Sequence, residues 1–269
     1  MKTITESLMN TPKMPVLFLG HGSPMNAIEE NEFVQGFRKI SSEIEMPKAI
    51  LVVSAHWETA GTKVTAMANP PTIHDFGGFP QKLFEVQYPA LGDPELAKET
   101  QELLKSTEVH LDHKWGLDHG AWTVIRHMYP KANVPVIQLS IDFHKSPAEH
   151  YALAKELSRL REKGVLIVGS GNLIHNLQMV AWSRLNENFA FDWAHEANSK
   201  MNEYILNGDH ESLINFSKQG KAFQLSIPTP EHFLPLLYTL AIQDAKDEIS
   251  LFNNQLIGGS LSMTSVKIG

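Results

Sequence analysis

The sequence predicts an α/β fold, a single domain with a central mixed sheet flanked by helices and a ligand site at the carboxyl ends of its strands. Three observations predict it. Apolar runs of strand length alternate with helix-like stretches along the 269 residues, the pattern of a sheet with helices on its faces. Some of those runs end in glycine-rich or sharp turns, the first in Gly20-His21-Gly22-Ser23-Pro24-Met25. And three of them deliver a histidine just past their ends: Val16–Leu19 runs into His21, Ile50–Ala55 into His56, and Val165–Gly171 into Asn172 and His175. Open α/β sheets keep their ligands at strand carboxyl ends. A core histidine has no reason to recur there, but a metal site does.

Taken in chain order, the expected strands are Pro15–Leu19, Ala49–Ala55, Lys63–Met67, Val134–Ser140, Val165–Ser170 and Ser260–Lys267. The expected helices are Glu29–Glu45, Pro94–Thr107, Gly120–Tyr129, Pro147–Lys163, Trp193–Asn207, Glu211–Lys218 and Pro230–Gln243. Several starts are signalled by local chemistry. Asp93-Pro94 reads as an N-cap followed by proline at the first helical position. Ser146-Pro147-Ala148-Glu149 is a capping box, and Gly164 suits the residue just past the end of that helix. Thr229-Pro230-Glu231-His232 repeats the cap-then-proline pattern, which places His232 in a first helical turn. The segment Ala68–Gly92 is a long loop, rich in proline and glycine. It carries Phe76, Phe79, Phe84 and Tyr88, too apolar for disorder, and reads as a packed loop lining a cleft.

Composition removes several classes of function. A formal charge of -7 with no basic cluster argues against a nucleic-acid partner. No apolar run approaches the ~20 residues of a membrane span, and residues 1–14 show no signal-peptide core. A cytoplasmic address is the expectation. The chain has no cysteine, so disulfides, thiolate catalysis and cysteine zinc sites are excluded. No G-x-S-x-G, Walker loop or H-E-x-x-H occurs.

The chain has 13 histidines, and they are not equivalent. His110, His150, His195 and His210 have polar flanks and read as surface residues. His127 reads as structural on its helix, and His144 as an exposed loop residue. His21 lies between two glycines that let the backbone approach a ligand closely. The plain alternative is a tight turn whose imidazole bonds only to backbone. His56 alone reads equally as a satisfied core residue or a ligand, and its pairing with His21 favours the ligand. His232, in a first helical turn, is held neutral by the helix dipole, the form that binds metal. His175 follows another glycine-rich strand end. His119, in Asp118-His119-Gly120, is either a group facing substrate or oxygen or a helix-start histidine without chemistry. His74 and Asp75 are likewise open between a hydrogen-bonded turn, a substrate contact and neither.

Several motifs carry a resemblance: GHGSPM at 20–25, SAHW at 54–57, PPTIHDFGGFP at 70–80, LDHGAW at 117–122, QLSID at 138–142, SGNLIHN at 170–176, PTPEHFLPLLY at 228–238 and GSLSM at 259–263. In this order they resemble the class III extradiol ring-cleavage dioxygenases, most closely the DOPA 4,5-dioxygenase branch. The resemblance implies a catalytic domain over 15–269 after an N-terminal extension, 1–14. It implies insertion of O2 into a catechol, L-DOPA going to 4,5-seco-DOPA, with the catechol and dioxygen as small-molecule partners, no nucleic acid or membrane, and the oligomeric state open. It implies one divalent metal per chain, Fe(II) for activity or Zn(II) as bound, with His21, His56 and His232 as ligands. His175 takes the acid/base position, and four imidazoles would complete a zinc tetrahedron if His175 were also a ligand. His119 is implied near substrate or dioxygen. The wider superfamily uses a glutamate as third ligand, where this chain has His232. A zinc-dependent hydrolase using the same histidines, and a non-catalytic binding protein on the same scaffold, are the rival readings.

Overall fold

The computed structural model describes residues 13–185 and 187–269. Of the expected N-terminal extension, only Lys13 and Met14 fall within the described residues, and the Met14 amide donates to the Arg161 carbonyl at 3.0 Å.

The strands are β1 (Val16–Gly20), β2 (Ala49–Thr59), β3 (Thr62–Thr65), β4 (Val109–Asp112), β5 (Val136–Asp142), β6 (Val165–Gly171), β7 (Ile249–Phe252), β8 (Leu256–Ile257), β9 (Leu261–Ser262) and β10 (Ser265–Ile268). Eight of them form one mixed sheet in the order β4-β3-β5-β2-β6-β1-β10-β7, and β8 pairs with β9 apart from it. The central strands β5, β2, β6 and β1 run parallel, and β10 pairs antiparallel to β1. The helices are α1 (Glu32–Ser42), α2 (Gln81–Phe84), α3 (Pro94–Leu103), α4 (His119–Met128), α5 (Pro147–Lys155), α6 (Ser158–Glu162), α7 (Asp192–Asn207), α8 (His210–Ile214), α9 (Lys221–Ser226) and α10 (Leu234–Ala241).

Successive strand side chains face opposite sides of a sheet. Val16 and Phe18 therefore join Leu51, Val53 and Ile167 in one core with α5, α7 and α10. Leu17 and Leu19 join Ile50, Val52 and Val168 in a second core with α1 and α4. Both faces are buried, which is why these strands read as unbroken apolar runs. The strands absent from the sequence expectation are β4, β7 and the short β8. VHLD and ISLF form the two edges of the sheet, where one flank meets solvent and the apolar signal thins.

Three expected elements are corrected. The helix over 147–163 is two pieces, because its hydrogen bonds tighten to i→i−3 spacing at Glu156 and Leu157. The strand over 260–267 breaks at Met263-Thr264, where the Ser262 and Thr264 hydroxyls bond to each other and Ser262 Oγ accepts from the Thr264 amide. The helix expected from Pro230 begins only at Leu234. Thr229 does not cap it but donates to Glu231 Oε1 at 2.8 Å, and Pro235 has no N–H to continue a ladder from Glu231. Residues 231–233 form an isolated turn closed by the Leu234 amide on the Pro230 carbonyl at 2.9 Å, so His232 precedes α10 instead of lying in its first turn, and the argument from that helix's dipole falls away.

Candidate metal centre

The register of the central strands builds the site. Gly20 lies level with Gly171 across β1 and β6, and Ser54 level with Ser170 across β2 and β6. His21 follows β1 directly, and its amide donates to the Gly171 carbonyl at 3.1 Å. Gly22 takes φ 62°, which turns the chain away and leaves the imidazole at the strand end. His56 does not lie past a strand end as expected. It is inside β2, at the register shift between Val53 and Glu58 against β5. A bulge re-aims side chains and bends the strand, and this one turns His56 toward His21. The third imidazole arrives on the 231–233 turn. A side chain at Gly171 would meet the His232 carbonyl at 2.1 Å, so only glycine lets that turn seat on β6.

His21, His56 and His232 form a nearly equilateral triangle, with ring centroids 5.0, 5.4 and 5.0 Å apart. One nitrogen from each lies within 4.8 Å of the others. The Nε2 atoms of His21 and His56 are 3.1 Å apart. Two of the outer nitrogens are tied down by hydrogen bonds. His21 Nδ1 donates to Ser170 Oγ at 3.0 Å, because that hydroxyl spends its own proton on the Gly120 carbonyl. His232 Nδ1 donates to Glu231 Oε1 at 3.2 Å. His56 Nδ1 faces Asp75 Oδ2 at 3.7 Å. A proton held on Nδ1 leaves the Nε2 lone pair bare, and imidazole lone pairs aimed at one point are the donor set of a divalent metal. The residues present fit such an ion.

Burial, then the neighbouring imidazoles, hold His21 and His56 well below the ordinary histidine value. Burial also lowers His232, against the opposing pull of Glu231. All three are therefore neutral at pH 7, as ligands must be. Burial works to raise the Glu231 carboxyl, but hydrogen bonds from His232, its own backbone and Thr229 outweigh it and hold the group down at about 2. Glu231 thus bonds to the outer nitrogen of His232 and does not replace it.

His175 stands outside the triangle. Its ring stacks on that of His232 at 3.5 Å and 8°, and it shares a nitrogen–oxygen cluster with Glu231 and His232 but not with His21 or His56. It lies four residues past β6, with its amide bonded to the Ser226 carbonyl. His119 flanks the opposite side, 3.8 Å from the His56 ring. It is the first residue of α4, whose cap is Asp118. Of the pair left open by sequence, His74 turns aside to the Val86 carbonyl, while Asp75 reaches His119 Nδ1 at 2.9 Å. His150 corrects the surface expectation. It is fully buried and bonds through Nδ1 to Tyr238 Oη at 2.8 Å. His110, His144 and His195 are exposed as expected, whereas His210 is half-buried against Tyr151.

Above the imidazoles opens a cleft of about 1020 Å³. Phe76 and Phe79, from the 68–92 loop, give it one apolar wall, and Leu177, Trp182 and Leu185 give it a second. Sequence reasoning placed the first wall and missed the second, because nothing local ties the turns at 177–185 to β1. The supporting roles of Ser170 and Glu231 were missed likewise.

The chain is similar to known proteins along nearly its whole length. The family model for the catalytic LigB subunit of aromatic ring-opening dioxygenase matches residues 11–261. The chain belongs to that family. It is 44% identical to "4,5-DOPA dioxygenase extradiol" of Escherichia coli K12, over 99% of this chain and 98% of that one. It is 38% identical to the protein of the same name from Beta vulgaris, over 93% and 94%. A crystal structure of an uncharacterized Escherichia coli K12 protein superposes with a TM-score of 0.80 at 41% identity, covering 95% of this chain and all of that one. The chain is accordingly an extradiol aromatic ring-opening dioxygenase with a divalent-metal site. Among the described residues, no helix is long and apolar enough to cross a membrane.

Proposed function

We propose that this chain opens the ring of L-DOPA to 4,5-seco-DOPA, using Fe(II) held by His21, His56 and His232. The observation that carries this reading is the imidazole triangle, with the outer nitrogens of His21 and His232 tied and one nitrogen of each ring drawn together, in a cleft lined by aromatic side chains. The names of the bacterial and plant relatives support the choice of DOPA. The cleft supports it too. Glu29, Glu30 and Glu32 line it, and no lysine or arginine does among the described residues. Glu30 is paired with Arg38 at 2.7 Å, which leaves Glu29 and Glu32 to attract the ammonium of a DOPA side chain.

Bound iron supplies Lewis acidity toward the two catechol oxygens and the redox capacity toward dioxygen that zinc lacks. The chain supplies the rest. Phe76 and Phe79 flank the aromatic ring and exclude water. His175 makes no side-chain hydrogen bond to the described residues. Burial first, then His232, hold its pKa down at about 3. It is neutral with a lone pair free, and it takes the proton of a catechol hydroxyl. The negative charge left on the substrate raises its proton affinity in the complex, and it returns the proton to the opening product. Both oxygen atoms enter the product, so no external reductant is consumed. Turnover of L-DOPA under ¹⁸O₂, read at the new carboxylate because an aldehyde oxygen exchanges with water, tests this: the account requires one labelled oxygen in that carboxylate, and a carboxylate without label would contradict it.

A further inference from the structure

Asp75 lies outside the metal triangle, yet its carboxylate holds His119, which lines the cleft, by two hydrogen bonds. Oδ1 accepts from the backbone amide of His119 at 2.8 Å, and Oδ2 accepts from His119 Nδ1 at 2.9 Å. The same Oδ2 lies 3.7 Å from His56 Nδ1. The next residue, Phe76, sets its ring edge-on to His119 with centroids 5.5 Å apart. The 68–92 loop thus grips His119 through a charge on one nitrogen and a phenyl ring on its edge, at the first residue of α4.

We propose that Asp75 is a positioning residue that fixes His119 as its Nδ1–H tautomer and so presents an unprotonated Nε2 to the bound catechol and dioxygen. The proposal rests on the ring-opening reading of the cleft. The tautomer follows from the two contacts together. Both Asp75 oxygens are acceptors, so both facing nitrogens must carry hydrogen. The backbone amide always does. The ring satisfies the second contact only with its proton on Nδ1. The nitrogen bonded outward decides which one is left bare. Asp75 also ties the loop that carries Phe76 to the first residue of α4.

Asp75→Asn separates this from a merely structural role. An amide keeps the shape but offers one acceptor and one NH2. The backbone amide of His119 cannot give up its hydrogen, so it takes the oxygen. The NH2 then faces the ring, and the imidazole moves its proton to Nε2. Long-range ¹H–¹⁵N spectra of the zinc-loaded, histidine-labelled full chain, with His119→Gln to assign the signals, read this directly. The expected result is Nδ1–H in the native protein and Nε2–H in Asp75→Asn. In the iron form, kcat falls about 10- to 100-fold with KM within about threefold, and Asp75→Glu recovers part of the loss. The same tautomer in both proteins overturns the proposal, as does a moved proton with kcat unchanged. The spectra need no turnover. A tautomer shift in a protein that opens no catechol therefore upholds the positioning and counts against the ring-opening reading instead.

Discussion

Two sets of buried and half-buried histidines in this chain invite comparison. His150 is fully buried in the core between α5 and α10, bonded to Tyr238, and burial pushes it down to about 4. His21, His56, His175 and His232 are also lowered, with burial again the first cause. Burial and a depressed pKa are therefore common to both and do not mark function. What differs is convergence. His150 makes a neighbourly bond to one phenol. The other four meet ring to ring, with a bonded carboxylate or hydroxyl on the outside of His21 and His232 and bare nitrogen within. The site lies in the second arrangement, not in the titration.

The sharpest way to break that comparison is to remove a ligand. His232→Ala should abolish stoichiometric metal binding and lower turnover by more than about a thousandfold, which is roughly 4 kcal/mol of transition-state stabilisation. Metal analysis beside a kinetic assay checks it. His175→Ala should keep the metal and lose about 10²- to 10⁴-fold in kcat, the usual reach of an acid/base group. Loss of metal from that variant would move His175 into the ligand set.

Acidification sharpens the contrast less steeply. A histidine whose folded pKa is depressed contributes stability that is complete above its unfolded value, near 6.5, and is lost as pH falls toward the folded value. The metal-free protein should melt at progressively lower temperature from pH 7.5 to pH 5, by calorimetry. A His150→Leu background should retain most of that fall, because the four site imidazoles still drive it. Smallest of all, Tyr238→Phe should cost about 1–2 kcal/mol in denaturant unfolding and leave metal affinity and kcat/KM within about twofold.

The sequence made legible what the backbone dictates locally. The strands β1, β2 and β6 alternate between two buried faces, so their apolar runs are unbroken and their ends conspicuous, and His21 follows from that alone. His56 was legible as a residue but not as a place, because a bulge depends on pairing with β5, more than 80 residues later. His232 was found with the wrong local reason, since Pro235 starts the helix after the histidine and not before it. Asp75 and Glu231 hold their histidines by side-chain hydrogen bonds, and the first spans 44 residues. No periodicity or cap signals such a contact. His150 escaped because polar flanks say nothing about a partner such as Tyr238 in α10.

The central claim is that the imidazole triangle serves oxygen chemistry on a catechol. Oxygen consumption with L-DOPA tests it most directly, comparing the same protein reconstituted anaerobically with Fe(II) or loaded with Zn(II). The account predicts one O2 consumed per ring opened in the iron form and none in the zinc form. Ring-independent turnover by the zinc form, or no oxygen uptake by fully iron-loaded protein with any catechol, would contradict it.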